Sequence, residues 1–235
     1  MSSNPEGLRA LETIEEAPNY NAWLADRFKA HLGRRVLEVG AGIGTISSEI
    51  HHGRELLVAM EMEQTYVDRM TERFAGLPHV RPLQSTVGRT DWEQLRSFQF
   101  DSILLSNVLE HIEDDAGALR DFRSVLAPGG TLVIFVPALP FLFGTIDEAV
   151  GHFRRYTREG LNEVIGSAGF EVVSLEWMNV VGIPGWFLNN RILKRRVVPL
   201  GQLKLYDRIA PTLARLEQRV RLPIGMSLFA VARAR

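Results

Sequence analysis

The chain contains no cysteine. That absence rules out disulfides, thiolate zinc sites and cysteine nucleophiles, and with them a disulfide-stapled secreted scaffold. An excess of either charge is missing too: 27 Lys and Arg face 28 Asp and Glu, for a formal net charge of −1. No global field therefore argues for nucleic acid or an acidic partner, and neither is expected. Nowhere do about 18 apolar residues run unbroken, as a membrane-spanning helix requires. The opening Met-Ser-Ser-Asn-Pro-Glu-Gly has no basic cluster followed by an apolar run, so a cytoplasmic protein is the expectation. Repeats and low-complexity tracts are absent as well. What remains is 235 residues, enough for one α/β domain with a sizeable core and too few for two comfortable ones.

The most informative stretch runs from Arg35 to Ile50, Arg-Val-Leu-Glu-Val-Gly-Ala-Gly-Ile-Gly-Thr-Ile-Ser-Ser-Glu-Ile. Val36, Leu37 and Val39 are the short apolar run of a strand buried on both faces, and it leads straight into Gly40, Gly42 and Gly44. Glycines at alternate positions open turn conformations closed to other residues and leave the peptide groups accessible to a ligand. Thr45 then opens a helix whose first N–H groups face the same space. Two common nucleotide motifs do not fit. The Walker lysine is missing, and the third glycine falls at 44 where a dinucleotide fingerprint needs it at 45. Instead Glu38 lies inside the strand, and Glu61 ends the next apolar run, Leu56 to Met60. A carboxylate there can accept both hydroxyls of a ribose.

With these residues the sequence resembles the class I S-adenosylmethionine-dependent methyltransferases, of a bacterial small-molecule type. The glycine turn and Glu61 match the family's methionine cradle and ribose acid. Asn107-Val108-Leu109-Glu110-His111, after a strand at Phe100 to Leu105, matches a second family segment. A third, Gly151-His152-Phe153-Arg154-Arg155-Tyr156, recurs in bacterial members, and Asn19 to Leu24 resembles their lead-in. The resemblance implies an α/β fold, doubly wound, with a mostly parallel seven-stranded sheet, helices on both faces and an antiparallel last strand. It divides the chain into a helical lid (1–34), a cofactor-binding core (35–180), a helical insertion (181–223) and a last strand (224–235). The cofactor is S-adenosyl-L-methionine, with S-adenosyl-L-homocysteine as product. Its implied contacts are Tyr20, Trp23, Glu38, Gly40, Ala41, Gly42, Gly44, Glu61, Met62, Ser85, Thr86, Val87, Asn107, Val108 and Leu109. Many relatives hold the adenine amino group with an Asp after the third strand. This chain has Gln84, Ser85 and Thr86 there, whose amide or hydroxyl groups can also accept.

Along the rest of the chain, helical spacing predicts one or two helices in residues 5–34, broken at Pro18 to Asn21, and another over Gln64 to Phe74. A helix over Asp114 to Leu126 is closed by Ala127-Pro128-Gly129-Gly130, and Thr131 to Val136 forms the next strand. Residues 138–160 should hold substrate determinants, with His152, Arg155 and Tyr156 as contacts to an anionic or polar acceptor. His111, His152 and Tyr156 are the candidate catalytic proton acceptors. Two alternatives stand beside that: His111 is structural or orients the cofactor, and His152, Arg155 and Tyr156 fix the loop, with Thr157 capping a helix over 158–168. No compact set of His, Asp and Glu has ligand spacing along the chain, so no metal is expected. The insertion places Trp186, Phe187, Leu188, Ile192 and Leu193 beside Arg191, Lys194, Arg195 and Arg196. It is read as an amphipathic helix on the domain, a dimer arm, a substrate cover or an interfacial helix.

The expected activity is methyl transfer to nitrogen, oxygen or carbon of a small molecule, with secondary metabolism as one setting, by a monomer or homodimer. Two alternatives remain. One is a methyltransferase acting on a lipid-linked or cell-envelope glycan substrate, touching the membrane through residues 183–200. The other is a binding module that keeps the pocket without catalysis.

Overall fold

The structure is a computed structural model that describes residues 5–217, 219–220 and 223–235. The part of the N-terminal lid at 1–4, and positions 218, 221 and 222 of the insertion, lie outside the described residues. Seven strands form one sheet: β1 (Arg35–Val39), β2 (Leu56–Glu61), β3 (Val80–Gln84), β4 (Phe100–Ser106), β5 (Leu126–Pro137), β6 (Phe170–Met178) and β7 (Ser227–Ala234). Their order is β3-β2-β1-β4-β5-β7-β6. Strands β1 to β5 pair in parallel, and β7 runs antiparallel between β5 and β6. This is the doubly wound, mostly parallel sheet with an antiparallel last strand that the sequence implied.

The unbroken apolar runs arise because both faces of the sheet are covered. Along β2, Leu56, Val58 and Met60 enter one core cluster while Leu57 and Ala59 enter the other. On the first face lie α6 (Asp115–Val125) and α8 (Arg158–Ser167), which contribute Leu119, Phe122, Leu161 and Ile165. The second face is covered by α2 (Pro18–Lys29) and α4 (Gln64–Arg73), through Trp23, Leu24, Phe28, Val67 and Met70. Phe28 meets Phe135 and Phe229, each at a centroid distance of 6.1 Å. Truncating so enclosed a ring costs about 3–5 kcal/mol.

Several boundaries differ from the sequence expectation. Helix α1 (Pro5–Glu15) ends before Pro18, which is the first residue of α2 and not the breaker between the two. Proline tolerates that position because its missing N–H has no partner there anyway. The cap residue Ala17 has no side-chain acceptor, so Asp207 of α10 (Leu200–Glu217) serves instead. It accepts from Tyr20 N at 2.8 Å and Asn19 Nδ2 at 2.9 Å. A short helix, α5 (Trp92–Arg96), was not expected. Strand β5 already begins at Leu126, with a register shift opposite Phe100/Ser102 where the Pro-Gly-Gly turn intervenes. The loop after β5 is itself built, with a 3-10 turn at Pro140–Leu142 and a helix, α7 (Thr145–Val150). Thr157 caps α8 as expected, accepting from Gly160 N at 2.9 Å. The insertion folds as α9 (Gly182–Phe187), a π turn (Leu188–Ile192) and α10.

Candidate cofactor and acceptor site

Gly40, Gly42 and Gly44 all adopt left-handed backbone, with φ of +67°, +57° and +83°. They lie at the carboxyl end of β1, between that strand and α3 (Thr45–Ile50). A Cβ on Gly40 would stand 2.5 Å from Val108 Cγ2, so the turn after β4 rests directly on the glycine turn. Glu61, at the end of β2, reaches across to it. Its carboxylate accepts from Gly42 N at 2.9 Å, Met62 N at 2.7 Å and Glu63 N at 3.2 Å. The acid is thus a strut of the turn, with oxygen lone pairs to spare for hydroxyl donors. Glu38 is buried beneath, taking the Ser47 hydroxyl at 2.6 Å. Burial pushes its pKa up to about 7; the Ser47 hydrogen bond opposes this and the charge of Glu61 adds to it.

The other residues assigned to the cofactor lie around this cradle. Ala41 N donates to Met60 O at 3.0 Å, and Ser85 N to Glu61 O at 2.9 Å. The Ser85 hydroxyl is shared with Thr90 at 2.8 Å, Thr90 in turn donates to Thr86 O, and Val87 packs on the core. Met62 is exposed at the same edge. Asn107, at φ +54°, holds an uncommon left-handed backbone that Asn tolerates better than most residues, and Leu109 is fully buried. Leu139, which begins the loop after β5, has φ +62°. Strained residues thus follow both β4 and β5, a pattern common at working sites.

The lid differs from the expectation. Trp23 is a core residue of α2, and Tyr20 stacks edge-on with Trp23 and Tyr206 at 6.0 and 5.7 Å. These aromatics pack α2 onto the sheet and α10, so neither stands free over the turn. The element over the turn is α1, within the 1–34 segment expected as a lid, and not the Tyr20 and Trp23 part of it. Leu11 Cδ2 lies 3.0 Å from where a Cβ on Gly42 would be. Exposed ion pairs hold α1 down: Glu12–Arg69, Glu15–Arg73, Glu16–Lys204 and Glu6–Arg196.

In the loop after β5, Asp147 of α7 is the hub. It faces His152 Nδ1 at 2.9 Å and takes hydrogen bonds from Arg155 Nε at 2.8 Å, Asn190 Nδ2 at 2.6 Å and Gly144 N at 3.1 Å. Two expectations are corrected by this. Arg155 is buried, paired with Asp147 and stacked 4.8 Å over Trp186, so it cannot reach out to an anionic acceptor. Tyr156 is 4% exposed, and its hydroxyl donates to Asp115 Oδ2 at 2.8 Å. Burial and that carboxylate push its pKa up, which closes a proton-acceptor role to it. Asp147 and Asn190 were not legible as a pair, because they are 43 residues apart.

His152 does reach the site. Asp147, an acceptor only, receives a hydrogen bond from Nδ1–H, which leaves the Nε2 lone pair facing Glu110 Oε1 at 3.8 Å. His111 stands against it, ring to ring at 4.6 Å. Protein crowds the His111 ring although the residue itself is exposed. The lost hydration, with His152 beside it, draws its pKa down to about 4. Glu110 is fully buried, and burial raises its pKa to about 8. The fold thus gathers Glu110, His111 and His152, side chains of the types that ligate metals, where spacing along the chain indicated no such set.

Residues 37–132 match the family model described as a methyltransferase domain. The chain is 29% identical over 164 residues to an uncharacterized 37.1 kDa transposon protein of Streptomyces fradiae, covering 67% of this chain and 46% of that protein. It is also 29% identical over 107 residues to an uncharacterized methyltransferase of Mycobacterium bovis, covering 46% and 52%. The chain therefore spans about half the length of these relatives. Its fold is that of an S-adenosylmethionine-dependent methyltransferase from Mesorhizobium loti, with a TM-score of 0.61 at 16% identity, covering 91% of this chain and 97% of that one. Sheet order and the glycine turn after β1 give a Rossmann-like fold of the class I type. Residues 37–132 and the fold are thus similar to those of the class I S-adenosylmethionine-dependent methyltransferases, whose cofactor is S-adenosylmethionine.

Proposed function

We propose that the chain methylates a small-molecule acceptor seated between the turn after β4 and the loop of residues 138–157. The observation that carries this reading is convergence at one sheet edge. The Glu61–Gly42 cradle ends β2 and β1, Val108 after β4 touches Gly40, and His152 after β5 touches His111. Open α/β sheets bind ligands along that edge. Bound there, the cofactor supplies a sulfonium methyl that is already electrophilic. The chain's own residues then have mainly to position: Glu61 for the ribose hydroxyls, Gly40 to Gly44 for close backbone approach, and Val108 and Leu109 for the methionine end. Phe141 and Phe153, 57% and 55% exposed, offer apolar surface to the acceptor body beside the two histidines. Residues 5–15 act as the lid, since Leu11 must move for a ligand to lie on Gly42.

The test is product S-adenosylhomocysteine formation with amine, hydroxyl and carbon acceptors, run beside calorimetry with the same compound. Cofactor binding with turnover of one acceptor class supports the proposal. Absence of binding overturns the site, and binding without turnover of any class leaves the non-catalytic module.

One observation favours a second reading, a lipid-linked or cell-envelope glycan substrate at the membrane surface. Phe187, Leu188, Ile192 and Leu193 are 41–59% exposed in the segment that holds Arg191, Lys194 and Arg196, while no helix among the described residues is long and apolar enough to cross a membrane. Phe187→Ser with Ile192→Ser should abolish binding to anionic vesicles if this surface docks there. Deleting residues 183–200 is the poorer test, because it removes Asn190 from Asp147. A wild-type protein that ignores vesicles eliminates this reading.

A further inference from the structure

Glu110 presents a difficulty that methyl transfer does not explain. Its carboxyl group is fully buried, and neither Oε1 nor Oε2 has a hydrogen-bond partner. A buried acid left unsatisfied costs several kcal/mol unless it meets a proton or a cation. Across from it His152 Nε2 stands 3.8 Å from Oε1. That distance is too long for a hydrogen bond. Asp147 accepts from Nδ1–H, which aims the Nε2 lone pair at the carboxyl group, and once ionised the carboxyl group offers a second lone pair to the same gap. His111 adds a third donor atom, and the ligating atoms of Glu110, His111 and His152 all lie within 4.8 Å of one another.

We propose that Glu110, His111 and His152 bind a divalent first-row transition ion, of the zinc or cobalt type. With metal–ligand distances of about 2.0–2.2 Å, neighbouring ligands around such an ion sit roughly 3.4 Å apart. The Glu110–His152 pair needs to close by only a few tenths of an ångström from 3.8 Å. His111 can supply the rest, because it is the exposed last residue of the 3-10 turn Leu109–His111. Two imidazoles select against magnesium and calcium, which take oxygen shells. Asp147 completes the arrangement as the outer carboxylate that orients a ligating histidine, and it is fixed in turn by Arg155 and Asn190. The exposed side of His111 provides an entry path. Three protein ligands leave a further position for water or for an oxygen of the acceptor. That last use rests on the small-molecule reading above; the ion site itself does not. A ligated imidazole has no lone pair to take a proton, so metal binding and a base role for His111 or His152 exclude each other.

The test uses the full chain, stripped with chelator and titrated with Co2+ and Zn2+ by calorimetry, with the visible absorption of Co2+ as an independent readout. One ion per chain is expected, displaceable between the two metals. His111→Ala, at an exposed position that leaves the fold intact, should weaken binding at least tenfold and alter the Co2+ spectrum. Glu110→Gln should do the same. A control is His79→Ala, since His51 Nδ1 and His79 Nε2 lie 3.2 Å apart in a separate histidine group beside His52. The proposal is overturned if the wild type takes up no Co2+, as a protonated Glu110 would allow. It is overturned equally if His111→Ala binds like the wild type, or if His79→Ala is the variant that loses the ion.

Discussion

Replacing Glu61 by alanine should produce two separable losses. In the free protein the carboxylate holds three N–H groups, at 2.9 Å (Gly42), 2.7 Å (Met62) and 3.2 Å (Glu63). Met62 is exposed and Glu63 half-buried, so water can reach both amides, but Gly42 N is buried and would be orphaned. A buried donor left without a partner costs about 1–3 kcal/mol. Adding a weakened tie to the other two amides, the free protein should lose roughly 2–3 kcal/mol, a fall in Tm of about 4–12 °C for a domain of this size. The second loss appears with ligand. Hydrogen bonds from two ribose hydroxyls to one carboxylate are worth about 1.5–3 kcal/mol net, so the Kd for S-adenosylhomocysteine should rise by roughly 10- to 150-fold. Glu61→Gln should fall between, because one amide oxygen still accepts while the NH2 confronts the donor on the other side. Thermal melts of the free protein and calorimetry with S-adenosylhomocysteine measure the two separately. A lowered Tm with an unchanged Kd would show that Glu61 is only the strut of the turn and that the ribose is held elsewhere.

Glu38 should leave a signature in the pH dependence of stability. Its pKa in the fold is about 7 against an ordinary 4.5, so between those values the native state holds the extra proton and stability falls as pH rises, by about 3 kcal/mol at most. Glu38→Gln should therefore gain Tm relative to the wild type from pH 4.5 to 7 and hold a constant advantage above, and parallel profiles refute the assignment. Gly40→Ala and Gly76→Ala both force a side chain into left-handed backbone, at φ +67° and +86°, but only the first meets an obstacle, Val108 Cγ2 at 2.5 Å, while a Cβ on Gly76 finds nothing within 4 Å. Gly40→Ala should melt lower, Val108→Ala should recover part of the difference in the same chain, and equal melting of the two single variants contradicts the packing account. Because α1 is held largely by exposed ion pairs, raising NaCl from roughly 0.1 to 1 M should accelerate protease cleavage within residues 5–15. Leu11→Ala should do so at low salt and also speed S-adenosylhomocysteine association; cleavage that ignores both changes removes the lid.

The sequence alone determined the strand–turn–helix around Gly40 to Gly44, the acid at the end of β2, Glu61, and the apolar runs of the central strands. Each is a local signal. Residue types within a few positions dictate backbone conformation, and a run buried on both faces reads the same wherever its neighbours come from. What the chain could not show is which polar groups meet. His152, Arg155 and Tyr156 lie within one short segment and read alike as acceptor contacts, yet the path of the loop buries Arg155 against Asp147 and Tyr156 against Asp115. Only His152 is carried to Glu110 and His111. Similarly, the cap of α2 comes from Asp207, 187 residues from Tyr20, and the cover of Gly42 comes from Leu11 on a helix with no fully buried side chain. Such meetings depend on how β5, α7 and the insertion close on one another. A side chain's partners are set by that closure, and its spacing along the chain carries no trace of it.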